Sequence, residues 1–532
     1  MKHRRHSELA ERLPAADERW RCAPPAPPSS ALAREVGSET AGIRRYEELD
    51  GAEGRAVFFR PHRHTAAELA PLECKLLVLA NGREDSCALR DVSQNGAAFA
   101  WSGEPMEVRQ RLTIALRFDE HEAFRGEAVV GSVREQDGHI VVGISFHDFL
   151  LDMEEVLQLR TVRQWKTAGA RAFPGEERWV VRGCTRYKAL VAEFRLMFED
   201  TKRELDALEV QLPWHVLHGE DNAARNALVA QLRTSFVPEV VRFSEELDDA
   251  VRELPGGHGD PAASEWSRRY LEEYLLQSPG CYRARHKPFG YPGDYEVMNF
   301  IYGSPFEGAT LFARAVELAF WHSASARAVR ARKDLVKDRL RALVTSRRPT
   351  ARPLRVLSIA AGPAQELAEL FEELEHLEAP VHVVLFEQDK GALAHAWRRL
   401  EPMVAARFAG QVQLTFLHDS IKRLLRDARL FDALGPFDLI YSAGLLDYLQ
   451  QHTAVRLTRN LGAAAAEGGT VLVANMVDHP ARWYLEVPLD WPLIYRTREE
   501  LHAIGTRAQP DAHVRILEEQ SGANPFLELV RR

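Results

Sequence analysis

The feature that most restricts this chain is the alternation of patterns after Arg347-Arg348-Pro349-Thr350-Ala351-Arg352-Pro353. Short apolar runs rich in Val, Leu and Phe occur at 355–360, 381–386, 412–417, 437–441 and 470–475. The stretches between them are long enough for one helix each. Strand, helix, strand repeated in this way builds a parallel sheet by right-handed crossovers. Thr497-Arg498-Glu499-Glu500 has the spacing of a helix capping box. Two late runs, 513–517 and 526–530, can complete the sheet as a hairpin. The last third, 349–532, is therefore expected to be an α/β Rossmann-like domain with a seven-stranded sheet.

The other patterns differ. At 532 residues the chain exceeds a single core, and about three domains are expected. Residues 1–50 carry Pro24-Pro25-Ala26-Pro27-Pro28 among charges and read as a flexible tail. In 51–166, β-type runs at 75–79, 97–101, 111–118, 126–133 and 139–146 are separated by Asn81-Gly82, Asn95-Gly96 and Asp137-Gly138. That spacing predicts a small antiparallel barrel. In 167–348 the period becomes helical, with Leu190, Phe194, Met197, Phe198, Leu205 and Leu208 on one face. Further helical stretches lie near 222–253, 262–277 and 308–345. Lys287-Pro288-Phe289-Gly290-Tyr291-Pro292-Gly293-Asp294-Tyr295 interrupts them and cannot be regular helix.

A net charge of −8 argues against a general nucleic-acid binder. No apolar run approaches the roughly 20 residues that span a bilayer, and the basic start is followed by no apolar signal-peptide core. The five cysteines are scattered, with no CxxC pair, so neither a disulfide framework nor a metal site is expected. These traits suit a cytoplasmic protein.

Polar residues cluster at the ends of the parallel strands, where open α/β sheets bind ligands. The first strand ends in Ala360-Ala361-Gly362-Pro363-Ala364-Gln365-Glu366, a small-residue turn leading into a helix N-terminus, suited to an approaching carboxylate. The second ends in Glu387-Gln388-Asp389, where an acid can accept both hydroxyls of a ribose. The third offers Asp419 to an adenine amino group, and the fourth ends in Ser442-Ala443-Gly444.

With this ordered set the segment 354–532 resembles the class I S-adenosylmethionine-dependent methyltransferases. The resemblance implies S-adenosylmethionine as cofactor, held by Ala360, Gly362, Pro363, Glu366, Glu387, Asp389, Asp419, Ser442 and Gly444. Ala360 and Ala364 stand where the family has flanking glycines, and Ser358 where many members carry an acid. A narrower resemblance rests on 286–299, 442–449 and 475–496, which look like the bacterial extracellular-factor 3-hydroxypalmitate methyl ester biosynthesis proteins. It implies methylation of a (3-hydroxy) fatty acid carboxylate to a signalling ester. Candidate acceptor contacts are Tyr291, Asp294, Tyr295, Tyr484, Glu486 and Tyr495; alternatively the aromatics fill core and Asp294 caps a helix. A carboxylate is already ionised at pH 7 and needs no general base.

In the barrel region, Asp91-Val92-Ser93-Gln94-Asn95-Gly96 matches DxSxxG, about thirty residues after Arg60 and Arg63. This resembles the PilZ domain, which binds cyclic di-GMP, and implies Arg60, Arg63, Asp91, Ser93 and Gly96 as ligand contacts. The family's RxxxR spacing is shortened here, and His64 takes the place of the second arginine. Two readings follow: a methyltransferase tuned by a nucleotide-binding barrel, or a cyclic di-GMP-responsive adaptor whose methyltransferase-like domain is inactive.

Overall fold

Seven antiparallel strands come first among the described elements: β1 (His64–Thr65), β2 (Cys74–Ala80), β3 (Arg83–Ser93), β4 (Gly96–Trp101), β5 (Arg111–Phe118), β6 (His121–Gln136) and β7 (His139–Phe146). The computed structural model describes residues 47, 63–80, 83–136, 139–147, 150–168, 185–213, 222–346 and 352–532. The strands run in the order β1-β3-β2-β5-β6-β7-β4, and β4 also pairs with β3, so β2 to β7 close a six-stranded barrel. Closure leaves the six without a free edge. Leu76, Val78, Phe99, Ile114, Leu116, Val142 and Ile144 fill the interior. Gly96 is required by packing: a Cβ there would stand 2.2 Å from the Ile144 carbonyl oxygen on β7.

Helix α1 (Met153–Ala168) lies against the barrel, burying Val156 in its core, and Arg160 donates to the Glu68 carbonyl. Next come α2 (Thr185–Gln211), α3 (Ala223–Thr234), α4 (Phe236–Arg252), α5 (Pro261–Leu275), α6 (Pro279–His286), α7 (Tyr295–Gly303), α8 (Leu311–Trp321) and α9 (Ala324–Ser346). The predicted face of α2 turns inward, with Phe194 stacked on Phe243 of α4 at 4.8 Å. The interrupting segment 287–294 is the irregular link between α6 and α7.

The α/β part then follows: β8 (Leu354–Ile359), α10 (Gln365–Glu373), β9 (Val381–Glu387), α11 (Lys390–Arg407), β10 (Val412–His418), α12 (Ile421–Arg426), β11 (Phe437–Ser442), α13 (Gln451–Ala464), β12 (Ala465–Ala474), α14 (Arg482–Glu486), α15 (Arg498–Ala508), β13 (His513–Leu517) and β14 (Phe526–Val530). The sheet has seven strands in the order β10-β9-β8-β11-β12-β14-β13. The first five are mutually parallel, and the last two form the expected antiparallel hairpin. The parallel strands are almost continuously buried, as strands covered on both faces must be. One face packs on α9, α10 and α11, the other on α12, α13 and α15. The capping box at Thr497 and Glu500 forms at the start of α15.

Strand order reverses beside β8, so the loops after β8 and β11 splay apart and leave a crevice at their carboxyl ends. The helical layer lies over it. Its core includes Met476, Trp483, Leu485 and Trp491, so the cover and the segment after β12 share one apolar cluster. At the far edge, Glu47 forms a parallel bridge with Leu417, donating to Phe416 and accepting from His418. Among the described residues no helix is long and apolar enough to cross a membrane.

Candidate functional site

The turn after β8 is built from three left-handed residues. Ala360, Gly362 and Ala364 have φ of 52°, 54° and 52°. Glycine takes this conformation freely, whereas an L residue with a Cβ pays about 1–2 kcal/mol. The backbone thus keeps the geometry of a glycine-rich turn although alanine occupies two of its positions. A Cβ on Gly362 would meet nothing within 4 Å, because the turn borders open space. That space is a cavity of about 120 Å³ between the β8, β9 and β11 ends and the α6–α7 link.

Glu387 ends β9 and reaches the same turn. One carboxylate oxygen accepts from the Gly362 amide at 3.0 Å; the other accepts from the amides of Gln388 and Asp389 at 2.7 and 3.0 Å. Burial pushes its carboxyl up to about 7, despite these donors. Asp389 caps α11 through the Gly391 amide and accepts from the Tyr291 hydroxyl at 2.9 Å. Burial raises both Asp389 and Tyr291. Glu366, in the first turn of α10, accepts from the Tyr441 hydroxyl at 2.7 Å, and burial raises it too.

Ala360, Gly362, Pro363, Glu366, Glu387, Gly444, Tyr291 and Tyr295 all border the cavity. Other named residues stand apart from it. Asp419 is fully buried at the β10 end, where it accepts from the Ser420 amide and pairs with Arg423 at 2.9 Å. Ser442 is buried one residue before the lining stretch Ala443–Leu445, with no hydrogen-bond partner for its hydroxyl. Asp294 is the N-cap of α7, accepting from the amides of Glu296 and Val297, and it pairs with Arg283 at 2.9 Å. Tyr484 is packed in the helical core, 3.5 Å from the Cys281 sulfur. Glu486 pairs with Arg482, whose guanidinium lies over the Tyr495 ring. Asp294, Tyr484, Glu486 and Tyr495 thus lie outside the lining of this cavity.

Sequence reasoning missed Arg332, Lys333, Tyr441 and Tyr448, which also line the cavity. Arg332 carried a readable signal. It falls on the stripe Val329, Val336, Leu340 of α9, and a cation on an apolar stripe is out of place unless something receives it.

In the barrel, β1 pairs with β3 so that Thr65 faces Asp91, and Arg63 donates to Asp91 through Nε at 2.7 Å. Ser93 is buried and donates to the Gly96 carbonyl. Arg63, Asp91, Ser93 and Gly96 therefore lie along one stretch of the barrel; Arg60 lies outside the described residues. The Gln94–Asn95 turn reaches beyond the barrel. Gln94 Nε2 donates to the Lys287 carbonyl at 3.4 Å, and a Cβ on Gly290 would stand 3.1 Å from Asn95 Oδ1.

No protein-family model matches the chain, and no curated protein matches it. Solved structures are similar to parts of it. A possible exported protein from Bordetella parapertussis shares 18% identity, with a TM-score of 0.35, over 56% of this chain and 96% of its own. Magnesium protoporphyrin IX methyltransferase from Synechocystis PCC 6803 with bound SAH shares 13%, TM-score 0.29, over 39% and 87%. The pyocyanin biosynthetic protein PhzM shares 15%, TM-score 0.30, over 53% and 74%.

Proposed function

We propose that this chain is a cytoplasmic S-adenosylmethionine-dependent methyltransferase acting on the carboxylate of a fatty-acid-like small molecule. The observation that carries the reading is the meeting of the left-handed turn 360–364, the N-terminus of α10 and the buried Glu387 at one cavity. The residues fit such a cofactor. Ala360, Gly362, Pro363 and Glu366 border the space suited to its amino-acid end, with the amides and dipole of a helix start beside it. Glu387 and Asp389 suit the ribose hydroxyls, Asp419 suits the adenine amino group, and Ser442 and Gly444 complete the cofactor set. When bound, the cofactor supplies a methyl group on a sulfonium, and the protein's part is to align the acceptor and exclude water. Tyr291, Pro292 and Gly293 of the α6–α7 link border the cavity and supply that cover.

The test is calorimetry of the full chain with S-adenosylmethionine and S-adenosylhomocysteine. Binding of neither would remove the enzyme reading. Binding without transfer to any carboxylate in a labelled-methyl screen would favour the adaptor instead.

The barrel is proposed to take cyclic di-GMP through Arg60, Arg63, Asp91, Ser93 and Gly96, and so to tune the reaction. Guanidinium forks suit phosphate and guanine edges. Titration of the full chain at low and high salt checks this, since exposed charge contacts weaken as the screening length falls. Arg63→Ala should weaken binding more than His64→Ala; no binding even at low salt makes the barrel a structural module.

A further inference from the structure

A second cavity, of about 50 Å³, lies behind the first. Gly293, Met298, Arg332, Gly444 and Tyr448 border both. Its walls are mostly apolar, among them Ile301, Phe320, Val329, Leu485 and Trp491, with Ser323, Ser325 and Asp447 as the further polar side chains. Arg332 stands in the shared wall, 7% exposed. Its Nε has no hydrogen-bond partner. Its nearest carboxylate, Asp447, is 3.9 Å away, and Nη2 is 3.9 Å from the Met298 sulfur. Asp447 is itself engaged by the Met476 amide at 2.7 Å. A buried guanidinium held this loosely is costly unless a ligand completes its hydrogen bonds. Gly444 leaves room for it, since a Cβ there would stand 2.8 Å from Arg332 Nη2.

The lining also limits the nucleophile. Among the described residues, no His or Lys borders this second cavity. The Tyr448 hydroxyl accepts from Trp491 Nε1 at 2.9 Å, and burial holds its proton in place. Asp447 borders the chamber too, but its carboxylate is held by the Met476 amide and faces Arg332. An alcohol or amine acceptor would have to draw on it as base, whereas an acceptor that arrives as an anion needs none. A planar carboxylate matches the guanidinium fork; a phosphate dianion would crowd Asp447.

We propose that this chamber is the acceptor subsite and that Arg332 holds the carboxylate of a short-chain monocarboxylic acid. The proposal rests on the methyltransferase reading and narrows its substrate. A space of about 50 Å³ is less than half that of the first cavity, so it takes a few carbons rather than a long acyl chain. In the transfer, a carboxylate oxygen bonds to the methyl carbon as the carbon–sulfur bond breaks. The anion and the sulfonium become a neutral ester and a neutral thioether, and no proton moves.

The test is calorimetry on the full chain saturated with S-adenosylhomocysteine, titrated with butanoate, butanamide and dodecanoate. Butanoate should bind at least tenfold more tightly than either of the others. Arg332→Gln should weaken butanoate at least tenfold while S-adenosylhomocysteine affinity stays within threefold. Equal binding of acid and amide in the wild type overturns the proposal without relying on any variant. So does preference for dodecanoate, or a loss of S-adenosylhomocysteine affinity in Arg332→Gln as large as the loss of butanoate. Failure of S-adenosylhomocysteine to bind the wild type sinks the methyltransferase reading itself; its binding without any carboxylate binding sinks the acceptor subsite alone.

Discussion

The Tyr291 hydroxyl donates to Asp389 Oδ2 across 2.9 Å, joining the α6–α7 link to the first turn of α11. Asp389 also caps that helix, so one carboxylate serves the cover and the sheet at once. Tyr291→Phe keeps the ring and deletes the bond. Hydrogen bonds to charged groups contribute about 1.5–3 kcal/mol, and a loss near the lower end is expected in urea unfolding because the capping amides remain. Cofactor affinity should fall with it. An unchanged unfolding midpoint would show that the link is held by packing alone.

If Glu387 holds the ribose as proposed, cofactor binding is expected to depend on pH. The Glu387 carboxyl is pushed up to about 7 by burial, and only the ionised form can accept from both ribose hydroxyls through both oxygens. Affinity for S-adenosylhomocysteine should therefore rise with pH and level off above 7, falling about tenfold per unit below it. Stability runs the other way. The native state holds this proton beyond the ordinary value of 4.5, so this group's contribution is complete below 4.5 and is lost as pH rises to about 7. Both trends should flatten in Glu387→Gln. Calorimetry and thermal melts across pH 5–8 check them, and a pH-independent wild-type affinity would contradict the assignment.

Ala360→Gly should stabilise the chain. Relief of the left-handed strain is worth about 1–2 kcal/mol, and the extra freedom of glycine in the unfolded chain returns roughly 0.5–1. A net gain of about 0.5–1 kcal/mol is expected in urea unfolding. Destabilisation would mean that the Ala360 methyl packs usefully against the cavity wall.

Asp294→Ala should act on stability. It strips two amide hydrogen bonds from the α7 start and removes one of the two carboxylates that pair with Arg283, Glu296 remaining as the other. Orphaning a buried charge costs about 3–5 kcal/mol, and the surviving Glu296 pair places the expected loss below that range. A variant that melts like the wild type but loses turnover would return Asp294 to the acceptor site.

The α/β sheet was legible because parallel strands covered on both faces are mostly apolar, and β8, β9 and β11 each carry a run of Val, Leu, Ile or Phe. The barrel strands β2, β4, β5 and β7 and the middle of β6 were found as short β-type runs bounded by turns. Strand β3 was missed: its sequence Arg83-Glu84-Asp85-Ser86-Cys87-Ala88-Leu89-Arg90 is dominated by small and charged residues, and pairing with β2 and β4 makes it a strand. Helices α6 and α7 were missed because each spans fewer than ten residues beside Pro and Gly. At the site, strand-end position drew attention to Glu387 and the turn at 360–364. It could not tell Tyr291, which borders the cavity, from Tyr484, packed among rings in the helical core, because both are aromatics in polar-flanked segments.

The bridge at Glu47 also bears on how the protein behaves when cut. Strand β10 is the last of the large sheet on its side, and Glu47 occupies backbone groups at Phe416 and His418 that would otherwise lie bare. Exposed strand edges recruit other strands and promote self-association. The chain that starts from this bridge then builds the barrel, whose Gln94 touches the α6–α7 link. A fragment trimmed to the helical and α/β parts would thus lose two fastenings, and the bared edge of β10 gives it a route to aggregation.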